Sequence, residues 1–321
     1  MSERNGIAVV GTILVDNIYS ISAYPQLGEL TKIRSIERAL GGLVPNNGIG
    51  LKKINPSLPV YAVGKIGDDN LGSYALQVLQ SNGVDTVGIS ISKNEKTSFT
   101  DVMSIPGGQR TFFTYPGASA SFGMDDIPWD KLPCKMLHLG YFLLLDKVDN
   151  GDGLKILREA KKRGIITSID LVSENSDRYS CVLPCLPYVD NLILNEMEAG
   201  KLCNMEPSID NLAQMGQKLL ALGVRERVLI HMPEIGVCCS KCGKITKRPS
   251  YPLPKGYVKG KTGAGDAFCS GALIAIEHGA TDNEILALAE AAAVASLSAA
   301  DATSGLKEES RLPTCEEDVK I

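Results

Sequence analysis

Short apolar runs recur along the 321-residue chain at intervals that a helix can fill. Gly6-Ile7-Ala8-Val9-Val10-Gly11 comes first, and others follow at 60–63, 136–139, 165–169, 191–194 and 228–230. Runs of this length without polar alternation suit strands covered on both faces. Helix-like stretches at 72–81, 153–163 and 209–222 stand between them. Strand and helix in alternation predict an α/β fold, doubly wound, with a mostly parallel sheet. No Pro/Ser-rich linker, repeat or low-complexity tract divides the chain, so 1–321 reads as a single domain.

Two segments break that rhythm. Residues roughly 13–38 and 97–116 are rich in alternating Ile, Val, Thr, Phe and Tyr, with turns at Pro25-Gln26-Leu27-Gly28 and Pro106-Gly107-Gly108-Gln109. They read as exposed antiparallel strands that leave the main sheet and form a small β-sheet lid. Near the C-terminus, residues 264–277 end at His278-Gly279, a helix stop. Asp282 reads as the N-cap of a helix over 283–300, so Ala-rich that it must pack closely on a neighbour.

Charge narrows the class of partner. With 33 Lys+Arg against 37 Asp+Glu the net charge is −4, and there is no long basic block, so nucleic acid and anionic membranes are not expected partners. No apolar run reaches the ~18 residues of a membrane span, and Met1-Ser2-Glu3-Arg4-Asn5 has no signal-like stretch behind it, which predicts a cytoplasmic protein. The nine cysteines, odd in number and scattered from Cys134 to Cys315, do not form a disulfide framework. Cys239 and Cys242 form a lone C-x-x-C without the second pair that zinc needs, so 235–239 and 245–247 read as two strands around a Lys241-Cys242-Gly243 turn.

The most informative stretch is Lys259-Gly260-Lys261-Thr262-Gly263-Ala264-Gly265-Asp266-Ala267-Phe268. Three small residues open an apolar helix whose first N–H groups have no intrahelical partner and point at one spot. That is a site for a phosphate, or for the charge on a phosphoryl group in flight. Asp266 could simply favour the helix dipole. A carboxylate beside an anion hole repels phosphate, however, and is well used there only if it accepts a proton from an attacking hydroxyl. The overlapping Gly256 to Thr262 stretch is one residue short of a P-loop, and Pro249, Pro252 and Pro254 stand where its strand should be.

Thr262 to Phe268 resembles the D-T-x-G-A-G-D-x-F signature of the ribokinase-like (PfkB-type) carbohydrate kinases. Gly11 with Asp16, Gly41-Gly42-Leu43-Val44-Pro45-Asn46, the stretch from Val63 to Gly72, and Asn195-Glu196-Met197-Glu198 resemble further family motifs in the family's order. The resemblance implies a Rossmann-like domain and transfer of the γ-phosphoryl group of ATP to a sugar hydroxyl, with Asp266 as base and Gly263, Ala264 and Gly265 as the anion hole. It also implies that Asp16, Gly42 and Asn46 hold the sugar. Asn195 and Glu198 would arrange Mg²⁺ and phosphate through water, with no direct protein ligand to the metal. Taken alone, Asn46 could be a helix cap, Gly41-Gly42 a turn, and N-x-x-E an exposed helix start.

Departures from the signature matter as well. The family's first Asp and Thr are Gly260 and Lys261 here, so a potassium-like ion that many relatives hold beside the anion hole loses its charged ligand. Lys261, with Thr262 on the nucleotide side, either supplies that positive field or points to solvent. His231 and Pro233 alter a nucleotide-side T-x-G-x-x-G, although His231 can also be a plain strand residue. Leu43 stands where kinases of sugar phosphates tend to carry Lys, which implies a non-phosphorylated acceptor. The expectation is an ATP- and Mg²⁺-dependent kinase of a sugar or sugar-like alcohol, with a homodimer formed through the lid. The alternatives are a nucleoside kinase and a catalytically weakened sugar-binding regulator.

Overall fold

The computed structural model describes residues 4–105, 107–314 and 319. Pro106 of the expected turn, Cys315 and the first three residues lie outside them. The chain begins with β1 (Ile7–Val10), β2 (Leu14–Ile21) and β3 (Ile33–Gly41), then α1 (Leu43–Ile54) and β4 (Val60–Gly67). Next come α2 (Asn70–Ser81), β5 (Asp85–Ser92), β6 (Ser98–Ser104), β7 (Arg110–Tyr115) and the single turn α3 (Gly117–Ala120). β8 (Met136–Phe142), α4 (Gly153–Lys162), β9 (Ile166–Leu171), β10 (Asn191–Asn195), α5 (Glu196–Cys203) and α6 (Leu212–Ala221) follow. The last third holds β11 (Arg227–Met232), β12 (Ile235–Ser240), β13 (Ile245–Pro249), α7 (Ala264–Glu277) and α8 (Asp282–Ser296).

The large sheet has the order β13-β12-β11-β10-β9-β8-β1-β4-β5. It is parallel from β11 to β5, and β12 and β13 add an antiparallel edge. Every side chain of β1 is buried, as its unbroken apolar run requires. Pro249 closes β13 on the outer edge, the place in a sheet that tolerates a missing N–H. From β1 the chain order runs both ways along the sheet, and ligands of open α/β sheets bind outside the strand ends at such a crossing.

The two irregular segments form a separate sheet of order β3-β2-β6-β7. Its outer pairs are antiparallel as expected, but the central pair β2–β6 is parallel, with Asp16 opposite Thr100. The reason is topological. β2 and β6 both leave the main sheet in the same direction, from the ends of β1 and of the β4–β5 region, so neither can be the other's return strand. Leu27, Leu30, Ile36, Phe112 and Phe113 are exposed on this sheet or its loops.

The last helix also differs from expectation. Thr281, not Asp282, is the N-cap: its hydroxyl accepts from Glu284 N, and Glu284 Oε2 takes Thr281 N at 2.8 Å. Asp282 is buried and holds Arg227 Nε at 3.0 Å and Ser240 Oγ at 2.7 Å, so β11, β12 and α8 are tied together. α8 stops at Ser296, four residues short of Ala300, because the following turn closes back on the glycine-rich stretch, where Lys259 N donates to Leu297 O. The Ala-rich face does pack closely. A Cβ at Gly271 of α7 would stand 2.6 Å from Leu288 O and 2.9 Å from Ala289 Cα.

Candidate active site

The carboxyl ends of β1, β8, β9, β10 and β11 converge on the N-terminus of α7. Gly263 caps that helix at φ 79°, and a Cβ there would lie 2.3 Å from the Ala302 side chain, so no other residue fits. Ala264, Gly265 and Asp266 form the first turn, whose N–H groups have no intrahelical acceptor. Phe268, fully buried one turn on, anchors the turn and stacks on His231 with centroids 4.6 Å apart. Burying such a ring contributes about 1.5–3 kcal/mol.

Asp266 is buried, and both of its oxygens are engaged. Asn46 Nδ2 donates to Oδ2 at 2.9 Å, while the Tyr141 hydroxyl lies 3.0 Å from Oδ1 and 2.9 Å from Oδ2. Burial, and next the charge of Asp170, push the Asp266 carboxyl up to about 7, with Asn46 and Tyr141 opposing. A carboxyl that titrates near neutrality beside bare N–H groups is matched to accepting a proton at physiological pH. Burial and the same two carboxylates drive the Tyr141 phenol well above its usual value, so it remains a donor.

Tyr141 and Asp170 are the site residues that motif reading missed. Tyr141 sits in β8 with φ 56°, a left-handed conformation in a bulky residue, held by its N–H donating to Asp170 Oδ1 at 2.6 Å. Asp170 ends the apolar run of β9, and His138 Nε2 lies 3.3 Å from its other oxygen. A carboxylate at the carboxyl end of a buried parallel strand was the available signal.

Asn195 and Glu198 are brought to the same cleft as a capping box, with Asn195 N donating to Glu198 Oε2 at 3.0 Å and Glu198 N to Asn195 Oδ1 at 2.9 Å. This helix start is not the exposed one that N-x-x-E suggests in isolation. Glu198 is buried, and burial raises its carboxyl to about 8. Ser173 bridges Asn195 and Glu198.

Asp16 lies half-buried on β2, its side chain without a hydrogen-bond or ion-pair partner among the described residues; its carboxylate overhangs Gly41, where a Cβ would stand 2.7 Å from Oδ2. Burial raises its pKa. Gly42, at φ 93° against Thr12 O, starts α1, which delivers Asn46 to Asp266. Asn46 therefore touches the candidate base rather than capping a helix. Leu43 is sealed in the core against Gly11 and Gly140 and presents nothing to the cleft.

Two cavities meet here. One of about 380 Å³ is lined by Tyr141, Asp170, Asn195, Glu198, Gly263 and Asp266. The other, of about 600 Å³, is largely apolar and reaches from Gly265 and Phe268 to Tyr251, Val258, Val294 and Leu297. Asn195, His231 and Gly265 border both. His231 is thus part of the cleft wall, and burial lowers its imidazole to about 4, so it is neutral there. Lys261 and Thr262 are exposed, and Lys261 lines the apolar cavity. Gly260 leaves no room for the missing carboxylate, since a Cβ would stand 2.7 Å from Ala300 O and 2.8 Å from Ala299 O.

A family model described as pfkB family carbohydrate kinase matches residues 4–309. A ribokinase of Arabidopsis thaliana is 26% identical over 293 residues, covering 89% of this chain and 74% of that protein. A fructokinase of Klebsiella pneumoniae is 24% identical over 282 residues, covering 85% of this chain and 88% of that one. The solved structure of Arabidopsis thaliana ribokinase complexed with ribose and ATP superposes with a TM-score of 0.82 at 22% identity, over 99% of both chains. At that identity the likeness concerns the fold.

Proposed function

This chain belongs to the pfkB family of carbohydrate kinases, and from that premise we propose that it transfers the γ-phosphoryl group of ATP to a hydroxyl of a non-phosphorylated sugar or sugar-like alcohol. The observation that carries the proposal is Asp266, a buried carboxyl titrating near 7, set in the first turn of α7 on the wall of the smaller cavity. The sugar hydroxyl gives its proton to Asp266 as its oxygen bonds to the γ-phosphorus, and the bond to the bridging oxygen of ADP breaks. The backbone N–H groups of the Gly263-Ala264-Gly265 turn stabilise the charge in transit. Tyr141 and Asn46 hold the carboxylate in place.

Asp16, half-buried and unpaired, supports a sugar subsite with Gly42 and Asn46, because short polar groups discriminate vicinal hydroxyls better than apolar contact does. Lys261 and Thr262 flank the donor phosphates. The oxygen donors of Asp170, Ser173, Asn195 and Glu198 suit a hard divalent cation. Asn195 and Glu198 would hold Mg²⁺ through water, and the ion supplies charge neutralisation to the phosphates. Leu43 stands where kinases of sugar phosphates tend to carry Lys and brings no cation to the cleft, which supports an acceptor without a phosphate. The free thiols of the described cysteines fit a reducing compartment, the cytoplasm. The small sheet acts as a lid over the sugar, and its exposed Phe112, Phe113 and Ile36 pair with a second copy. Sedimentation showing monomer alone at all concentrations would refute the pairing.

The direct test incubates the protein with Mg²⁺-ATP and a panel of pentoses, hexoses, nucleosides and hexose phosphates, and measures ADP. Sugar-dependent ADP from a free sugar is expected. A hexose phosphate or nucleoside turned over better than every free sugar would refute the acceptor class, and ADP from none would refute the kinase reading.

A further inference from the structure

The hydroxyl bonded to the candidate base belongs to the protein itself. Tyr141 Oη lies 3.0 Å from Asp266 Oδ1 and 2.9 Å from Oδ2. A general base needs the group it deprotonates within ~2.6–3.2 Å, and this phenol already meets that condition. The backbone is bent to bring it there. β8 turns left-handed at Tyr141, φ 56°, and the chain does so again at Leu143, φ 82°. Bulky residues in that conformation are strained and collect at functional sites. The Tyr141 N–H, donating to Asp170 Oδ1 at 2.6 Å, holds the bend and keeps the phenol on the base.

The phosphoryl group arrives at the same wall. Tyr141, Gly263, Gly265 and Asp266 line one cavity of about 380 Å³, and Tyr141 is only partly buried there. The N–H groups at the start of α7 attract the γ-phosphoryl group to that cavity. A carboxylate that takes a proton from an incoming alcohol can take one from a phenol already bonded to it. We propose that Tyr141 Oη is itself a phosphoryl acceptor, so that without sugar the enzyme phosphorylates its own Tyr141. The phenol oxygen bonds to the γ-phosphorus and its proton passes to Asp266. The bond from that phosphorus to the bridging oxygen breaks, and ADP leaves. The inference rests on the kinase reading and gives the same site a second acceptor. Phosphotyrosine carries about −1.5 to −2 charges. Beside Asp266 and Asp170 it occupies the acceptor's place and stops sugar turnover.

The test incubates the protein with Mg²⁺ and γ-labelled ATP, without sugar, and follows bound label, intact mass and, by peptide mass spectrometry, the labelled residue. Label on Tyr141 is expected, rising toward one phosphoryl group per chain at a rate per chain that does not depend on protein concentration. Tyr141→Phe should take up none, and Asp266→Asn should label roughly 10²–10⁴-fold more slowly. Sugar turnover by the parent should fall in step with its label. Thermal unfolding checks both variants; if either does not fold, the position of the label in the parent decides. Label on Asp266 itself, which hydroxylamine removes while leaving phosphotyrosine intact, would overturn the assignment. So would label on another residue alone, a folded Asp266→Asn that labels at the parent's rate, a rate that climbs with protein concentration, or full sugar turnover by fully labelled protein. A parent that forms ADP with a sugar yet takes up no label overturns this inference and leaves the kinase reading standing. A parent that does neither overturns both.

Discussion

Removing one oxygen, in Tyr141→Phe, isolates what holds the candidate base at its working pKa. The Tyr141 hydroxyl is within 3.0 Å of both Asp266 oxygens and, being neutral, bonds the ionised carboxylate more strongly than the protonated acid. It therefore opposes burial and the Asp170 charge, which raise Asp266 to about 7. A hydrogen bond to a charged group is worth about 1.5–3 kcal/mol. At ~1.4 kcal/mol per pKa unit, its loss moves the carboxyl up by roughly one to two units. The acid limb of kcat/KM should move toward alkaline pH by the same amount. Turnover at neutral pH falls about tenfold or more and recovers near pH 9, where Asp266 is again ionised. The assay is the pH profile of kcat/KM for the best sugar, parent against variant, with thermal unfolding to confirm folding. A limb that does not move, or a loss that alkaline pH fails to restore, would show that Tyr141 does not act through Asp266.

Two other outcomes follow from the same geometry. Asp266 binds its proton more tightly folded than unfolded, because its carboxyl is raised from 3.8 to about 7; its ionisation thus lowers stability as pH rises through that window. Asp266→Asn should melt higher than the parent at pH 8, with the gap closing toward pH 4, and a variant less stable at pH 8 would contradict this. Since the carbonyls of Ala299 and Ala300 fill the space a carboxylate at Gly260 would need, potassium should not activate the enzyme. Assays with and without potassium chloride at constant ionic strength check this, and severalfold activation would refute it.

Much of this architecture was legible because it rests on local patterns. Unbroken apolar runs mark parallel strands, and Gly263-Ala264-Gly265-Asp266 marks a helix start stripped for an anion. What escaped was long-range pairing. That β2 runs parallel to β6 depends on where each strand leaves the main sheet, which neither segment encodes by itself. Asp282 looked like a cap because cap residues are read locally, whereas its partners Arg227 and Ser240 lie more than 40 residues away. Tyr141 carries no motif. It matters because a left-handed turn of its backbone brings its hydroxyl to a carboxylate 125 residues further on.

Whether Asp266 takes the proton is decided most directly by Asp266→Asn. Its shape is almost unchanged, and its amide can keep a contact to Tyr141 while losing the ability to accept the sugar's proton. Turnover with the best sugar should fall by roughly 10²–10⁴, while calorimetry finds the sugar's Kd within a few-fold of the parent's. An Asn variant that turns over within a few-fold of the parent would contradict the account, because the proton would then leave by another route.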